Sequence, residues 1–398
     1  MMPVSRRTLL GASGAMALLP LRLHAAPPAD TRAALDASAA ETDPARALAL
    51  LKGVRAATPS LALDLEAARA GLAIDAALAA AGSADRFTLL LRRAAGDRLD
   101  AVSGEARLTA ELAALIRRAT ALFASIGDTS GDIGARYRRL WADPRYLYSD
   151  DDAGRAQAVA DMTRTLDAAR GRLPRAFADL PRWCGDVDVR VLSAAEIAAG
   201  KGGYRTLPTA SSRGAYVVDL KDIRRRPSWT LPSAVVHELL PGHMVQLPVE
   251  AVVPPHPLRL RYTPVFAEGW AAYAEQLSAT QGAFEGDPRI ELGHIHWLLF
   301  RVTRGLVDIG IHRHGWSVDQ AEARLIGWMG EPAYFAPFDT DLARIAKDPA
   351  VRAAEALAWL AIADAANGRT GHALVRFHGA MLAHGRKRIE AFPQEHGA

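Results

Sequence analysis

Apolar residues recur at three- and four-residue spacing over most of this chain, a period that predicts a mainly helical protein. From about 43 to 126 the pattern runs through Ala-, Leu- and Arg-rich segments, with breaks expected at Gly71, Gly82, Gly96 and Gly104. Leu108, Leu112, Leu115 and Ile116 mark one apolar stripe. A helix pair is predicted over roughly 107–140 and 151–179, with Asp150-Asp151-Asp152 as N-cap of the second. The character changes at 186–220. Val187-Asp188-Val189-Arg190-Val191-Leu192 alternates with a period of two, and segments at Gly202-Gly203-Tyr204 and from Gly214 to Leu220 follow. Together they predict a small antiparallel sheet set into a helical frame. Helical spacing returns from Leu231 to the end. Residues 27–50, rich in Ala, Pro and Asp, read as a linker, and a single domain is expected over 51–398.

Composition agrees with the helical reading: half of the 398 residues are apolar, Ala dominates, and β-branched runs are few. The net charge of +4 includes three arginines in residues 1–26, where there is no acid, so the remainder carries +1. Such a near-neutral chain lacks the clustered positive charge that nucleic acid requires. The runs Arg224-Arg225-Arg226 and Arg386-Lys387-Arg388 read as solvated faces or helix ends.

The first 26 residues have a separate logic. Ser5-Arg6-Arg7-Thr8-Leu9-Leu10, an apolar stretch through Leu19, and Leu23-His24-Ala25-Ala26 have the order of a signal peptide. The paired arginines resemble a twin-arginine export signal, which predicts a periplasmic or secreted protein. The apolar run is shorter than the roughly 20 residues a membrane span needs, and no later stretch reads as transmembrane. Cys184 is the only cysteine, so no intramolecular disulfide is possible, and a buried inert thiol is expected.

The sharpest chemical feature is His237-Glu238-Leu239-Leu240-Pro241-Gly242-His243. In the familiar HExxH helix two histidines four apart share a face and bind zinc, with Glu beside the metal. Here the second His is six positions on, which leaves the side chains roughly 120° apart around a regular helix. Pro241 and Gly242 can break that helix, as a bulge or turn returning His243 toward His237. The alternative is a helix that simply ends at Pro-Gly, with His243 as a cap. A third ligand is available in Phe266-Ala267-Glu268-Gly269-Trp270-Ala271-Ala272-Tyr273-Ala274-Glu275. Glu268 and Glu275 are seven apart and share one helix face. Acids among apolar residues call for a metal or a partner. Two His and a distant Glu make a known catalytic zinc set. Glu275 is read as supporting a ligand rather than as one.

These motifs together resemble the bacterial domain-of-unknown-function 885 family, marked by HExxPGH and EGWAxYAE. Further matching segments are Asp143-Pro144-Arg145-Tyr146, Leu173 to Pro181, Gly214 to Leu220, Arg301 to His312, Gly315-Trp316-Ser317, Phe377-His378 and Gly385. The likeness spans about 108–395. It implies a helical zinc-peptidase-like fold, related to the gluzincins, with a cleft beside a short edge strand. It also implies Zn2+ held by His237, His243 and Glu268, and a water activated by Glu238. The chain departs from the pattern at Met244, where the family usually has a second His. Trp359 and Leu360 align with a usual Tyr and Lys, so donors to a transition-state oxyanion are expected from elsewhere.

Candidates for that role are His312, Arg304, Tyr204 and Tyr216. His312 otherwise reads as a surface residue. Arg301 and Arg304 either grip a substrate carboxylate or tie down buried acids such as Asp308. His294 and His296 are assigned to packing or surface. A strand at 214–220 is a candidate for pairing with an extended peptide. The function expected is an exported zinc metallopeptidase acting on peptides or other small amides. The alternatives are a non-catalytic metal-binding relative and a zinc hydrolase of non-peptide amides or esters.

Overall fold

The computed structural model describes residues 30–80 and 85–393. Its centre is one long helix, α13 (Pro288–His314), whose residues from Leu292 to Gly310 are all buried. The other elements wrap it, and its charged residues Arg301, Arg304 and Asp308 find their partners inside the protein.

The chain begins with α1 (Thr31–Ala40), α2 (Pro44–Leu50) and α3 (Pro59–Ala79). Each starts at a side chain that accepts from an orphan backbone N–H: Asp30, Asp43 and Thr58. Within the stretch 27–50 expected as a linker, residues 31–40 and 44–50 are therefore helix, each started by an aspartate cap. These helices enclose a satellite core of Leu35, Leu51, Leu65 and Leu72, closed by Leu258 and Tyr262. Gly71 lies inside α3 and does not break it. A Cβ there would lie 2.1 Å from the Tyr262 ring, so this glycine admits a neighbour.

Next come α4 (Arg86–Ala95), α5 (Ala101–Ser125), α6 (Ile133–Ala142) and α7 (Asp152–Arg172). The helix expected over 107–140 is divided between α5 and α6 by a turn in which Gly127 and Gly131 adopt φ of 84° and 74°. Asp151 caps α7 as anticipated. Gly104, another expected break, sits within α5 where Leu357 packs against it. Gly96 does end α4, and Gly82 lies outside the described residues.

The sheet has three strands, β1 (Val187–Val191), β2 (Tyr204–Thr206) and β3 (Gly214–Val218), in the order β1-β3-β2. β3 pairs parallel with β1 and antiparallel with β2. The sheet is therefore mixed, not antiparallel. The crossover from β1 through α8 (Ala194–Ala198) and β2 supplies the long connection that a parallel pair needs. It also makes β3 central. Both sides of β3 are already hydrogen-bonded, so the expected peptide docking along 214–220 is ruled out, and β1 and β2 are the edges.

The second half runs α9 (Leu231–Glu238), α10 (His243–Val252), α11 (Pro257–Tyr262), α12 (Phe266–Thr280), α13, α14 (Val318–Met329), α15 (Phe338–Lys347), α16 (Val351–Ala366) and α17 (Gly371–Leu382). α12 and α16 meet closely at Gly269, where a Cβ would lie 2.9 Å from that of Ala358. The start of α16 is fixed by Asp308 of α13, which accepts from the backbone N–H of Ala350, Arg352 and Ala353. Among the described residues no helix is long and apolar enough to cross a membrane. The signal-peptide reading of residues 1–26 falls outside the described residues.

Candidate metal centre

The His-Glu motif is built on a break between two helices. α9 ends at Glu238, Leu239 leaves helical geometry at φ −115° and ψ −106°, and α10 starts at His243. The Gly242 N–H reaches back to the Val236 carbonyl at 3.0 Å. A Cβ on Gly242 would lie 1.9 Å from the His237 carbonyl oxygen, so no other residue fits this approach. The Pro241 carbonyl accepts from Trp270 Nε1 at 3.1 Å, which ties the turn to α12. The two imidazoles end with centroids 4.8 Å apart at an interplanar angle of 81°. The 120° offset of a continuous helix is removed by a full helix stop.

α12 brings Glu268 to the same point. Its carboxylate oxygens lie 3.5 Å from His237 Nε2 and 3.4 Å from His243 Nε2. One donor atom from each of His237, His243 and Glu268 falls within 4.8 Å of the others. With zinc–nitrogen bonds of about 2.0–2.1 Å, the edge of a tetrahedral donor set is about 3.3 Å. The two observed separations are close to such an edge. His243 is 1 % exposed, and neither of its ring nitrogens has a hydrogen-bond partner. Orphaned buried imidazole nitrogens are rare unless something else satisfies them. A metal ion would do so, and the residues present fit one.

The surroundings tune the three groups. Burial and Arg301 work against protonation of His237, but Glu268 and Glu275 hold its pKa up to about 9. Burial pushes His243 down. Burial opposes the charge on Glu268, yet the two histidines hold its carboxyl well below the usual range. Glu275, fully buried, has Oε1 3.0 Å from His237 Nδ1 and accepts from Arg301 Nη2 at 2.9 Å. Ser233 Oγ donates to its other oxygen at 2.7 Å. Against burial, Arg301 and His237 hold Glu275 ionised, with a pKa of about 2. A carboxylate on the far nitrogen of a ligand histidine fixes ring orientation and tautomer.

Glu238 lines an open cleft of about 740 Å³. There it pairs with Arg205 of β2. The same cleft is lined by Tyr216, Tyr334, Asp219, Asp222 and Arg226. Tyr216 and Tyr334 join hydroxyl to hydroxyl at 2.9 Å.

The other expected site residues are dispersed. Arg304 grips Asp341 with two bonds of 2.6 and 2.8 Å, not Asp308. His312 bonds the Ile345 carbonyl at 2.8 Å and stacks on Phe87. It lies eleven residues beyond Arg301 on α13, about 16 Å along the axis. Tyr204 lines the cleft, but its hydroxyl is engaged by Glu196 and Arg190. Of the four candidate oxyanion donors only Tyr216 sits beside Glu238 without a charged partner of its own. Trp359 donates to Gln276, eight residues past Glu268, and Met244 is core. His294 and His296 are both buried, and burial pushes the Cys184 thiol up to about 11.

Two residues at the cleft escaped the sequence reading. Arg205 carries no local signal, being a single Arg on a three-residue strand. Arg226 ends a charged run immediately before Pro227-Ser228-Trp229, where the chain turns inward, and that transition was the available sign. The second basic run was also misread: Lys387 and Arg388 are buried, Arg388 being bonded to the Arg92 and Tyr262 carbonyls and to Asp97.

The fold has solved relatives. A "putative lipoprotein" of Colwellia psychrerythraea is similar at a TM-score of 0.67 and 21 % identity, over 90 % of this chain and 67 % of that one. A "putative lipoprotein of unknown function" from Shewanella oneidensis is similar at 0.61 and 15 % identity, over 91 % of this chain and 72 % of that one. No curated protein matches. Residues 11–387 match the family described as bacterial protein of unknown function, a longer span than the motifs alone indicated. The chain is a member of that family, DUF885.

Proposed function

We propose that this protein is an exported zinc-dependent hydrolase, a metallopeptidase that cleaves small peptides with a water activated by Glu238. The observation that carries the reading is the convergence of His237, His243 and Glu268 with both His243 nitrogens unpartnered. Zinc held there would supply Lewis acidity at the scissile carbonyl and lower the pKa of water. Glu275 and Arg301 orient His237. The Glu238 carboxylate takes the proton of the attacking water and delivers it to the leaving amine. Arg205 pairs with Glu238 at the cleft, and it has to yield as the proton arrives. The linked hydroxyls of Tyr216 and Tyr334 are the donors best placed to serve the oxyanion. Export rests on the N-terminal signal pattern and on the lipoprotein descriptions of the two solved relatives.

The test is metal analysis of the purified protein together with hydrolysis of a peptide library by wild type and Glu238→Gln. Zinc near one equivalent is expected in both, with turnover lowered about 100- to 10,000-fold in the variant. Unchanged turnover in the variant would overturn the mechanism. A second reading, favoured by the ion pair that occupies Glu238, is a metal-binding protein without hydrolysis. It predicts full zinc content and no cleavage of peptides, amides or esters by the wild type.

A further inference from the structure

Arg226 belongs to a run that reads as solvent-facing, but it is 2 % exposed. Neither Nη1 nor Nη2 has a hydrogen-bond partner. Burying a charge is costly unless it is paired. Its visible compensation is the face of Tyr334, whose ring centre lies 3.2 Å from Cζ. Among the described residues no carboxylate forms an ion pair with it. Asp219, on the same cleft, is taken by the backbone and side chain of Lys221.

The other arginines near the site are engaged. Arg205 holds Glu238, Arg301 holds Glu275, and Arg304 holds Asp341. Arg226 alone of the four has both terminal nitrogens free, and it lines the cleft that Glu238 enters. Tyr216 lines the same cleft as Glu238 and Arg226. A planar fork of unfilled donors, backed by an aromatic ring, matches a carboxylate in shape and charge.

We propose that Arg226 is the receptor for a substrate carboxylate, so that the cleft selects peptides bearing a free carboxylate next to the scissile bond. The choice of a peptide ligand rests on the metallopeptidase reading; the binding itself does not need zinc. The carboxylate comes either from a C-terminus or from an acidic side chain, and the two are separable.

Calorimetric titration of the full chain in the presence of a chelator removes both hydrolysis and metal coordination from the comparison. The probes are acetyl-Ala-Ala-Ala, its C-terminal amide, and acetyl-Ala-Glu-Ala amide. At least one carboxylate-bearing probe is expected to bind about 10-fold or more tightly than the neutral amide. Which one does so identifies the source. The preference is expected to disappear in Arg226→Met and to persist in part in Arg226→Lys, which retains the charge. Equal binding of all three probes by the wild type, or no binding, overturns the proposal without recourse to a variant. So does a preference that survives Arg226→Met. An Arg226-dependent preference in a chain that cleaves nothing when zinc-loaded would leave this assignment standing and remove the hydrolytic one. Cleavage of free acid and amide alike, with no binding preference, would do the reverse.

Discussion

The chain buries histidines in two settings, and their ring nitrogens distinguish them. His378 is completely satisfied: Nδ1 donates to the Ala176 carbonyl at 2.9 Å, and Nε2 accepts from the Tyr273 hydroxyl at 2.7 Å. His296 donates to the carbonyls of Met329 and Glu331. Both rings pack among aromatics, as His378 does against Phe177 and Trp270. His243 is as deeply buried, but both its nitrogens lack a partner and one faces a carboxylate that also faces His237. A structural histidine completes its hydrogen bonds within the protein. One poised to be a ligand is held in place by packing and leaves a lone pair for something the chain does not supply.

The widest separation between the two settings comes from replacing one histidine of each. His243→Leu is expected to weaken zinc binding more than about 1000-fold, beyond the roughly 10- to 100-fold typical of supporting residues. The metal-free variant should melt close to wild type, since no hydrogen bond is lost. Glu275→Gln comes next. It keeps one acceptor for His237 but removes the nearer carboxylate of buried Arg301, leaving Glu268 at 3.9 Å as its ion-pair partner, so zinc affinity falls about 10- to 100-fold and stability drops as well. His378→Leu should leave zinc content untouched and cost about 2–4 kcal/mol, because the Tyr273 hydroxyl and the Ala176 carbonyl both lose their partner. Zinc titration and denaturant melts of the three variants measure both axes. If His378→Leu lost metal, or His243→Leu lost most of the metal-free stability, the distinction would fail.

The convergence of His237, His243 and Glu268 was legible because it depends on local rules. Six-residue spacing is incompatible with one helix, Pro-Gly is the local means of stopping it, and acids seven apart share a face. The structure meets these constraints with a close approach at Gly242 that only glycine allows. What was not legible depends on partners distant in the chain. The parallel pairing of Val187 to Gly214 is invisible to an alternation rule, which reports faces and not neighbours. Arg304 found Asp341 rather than Asp308, and His312 found Ile345, across loops whose course no local pattern encodes. Gly71 and Gly104 looked like helix breaks because a packing glycine and a breaking glycine have the same composition signal; only Tyr262 and Leu357 tell them apart. Arg226 was hidden by the averaging of a charged run.

The finest separation is in pH. Burial pushes His378 down to about 4, with the Ala176 carbonyl opposing, and does the same to His296. In the unfolded chain such a group titrates near 6.5. The unfolded state therefore binds more protons between these values. The stability each ring contributes is complete above about 6.5 and is lost as pH falls through about 4. Asp308, raised by burial to about 6, acts in the opposite sense, gaining stability on acidification. Wild-type melting mixes these slopes, but a comparison with His378→Leu cancels everything except His378. From about pH 7 to about pH 5 the wild type should lose about 2 kcal/mol more than the variant. Parallel pH profiles of the two metal-free proteins would mean that His378 does not need to be neutral. The hydrogen-bond pattern that makes it a structural histidine would then have been assigned to the wrong ring form.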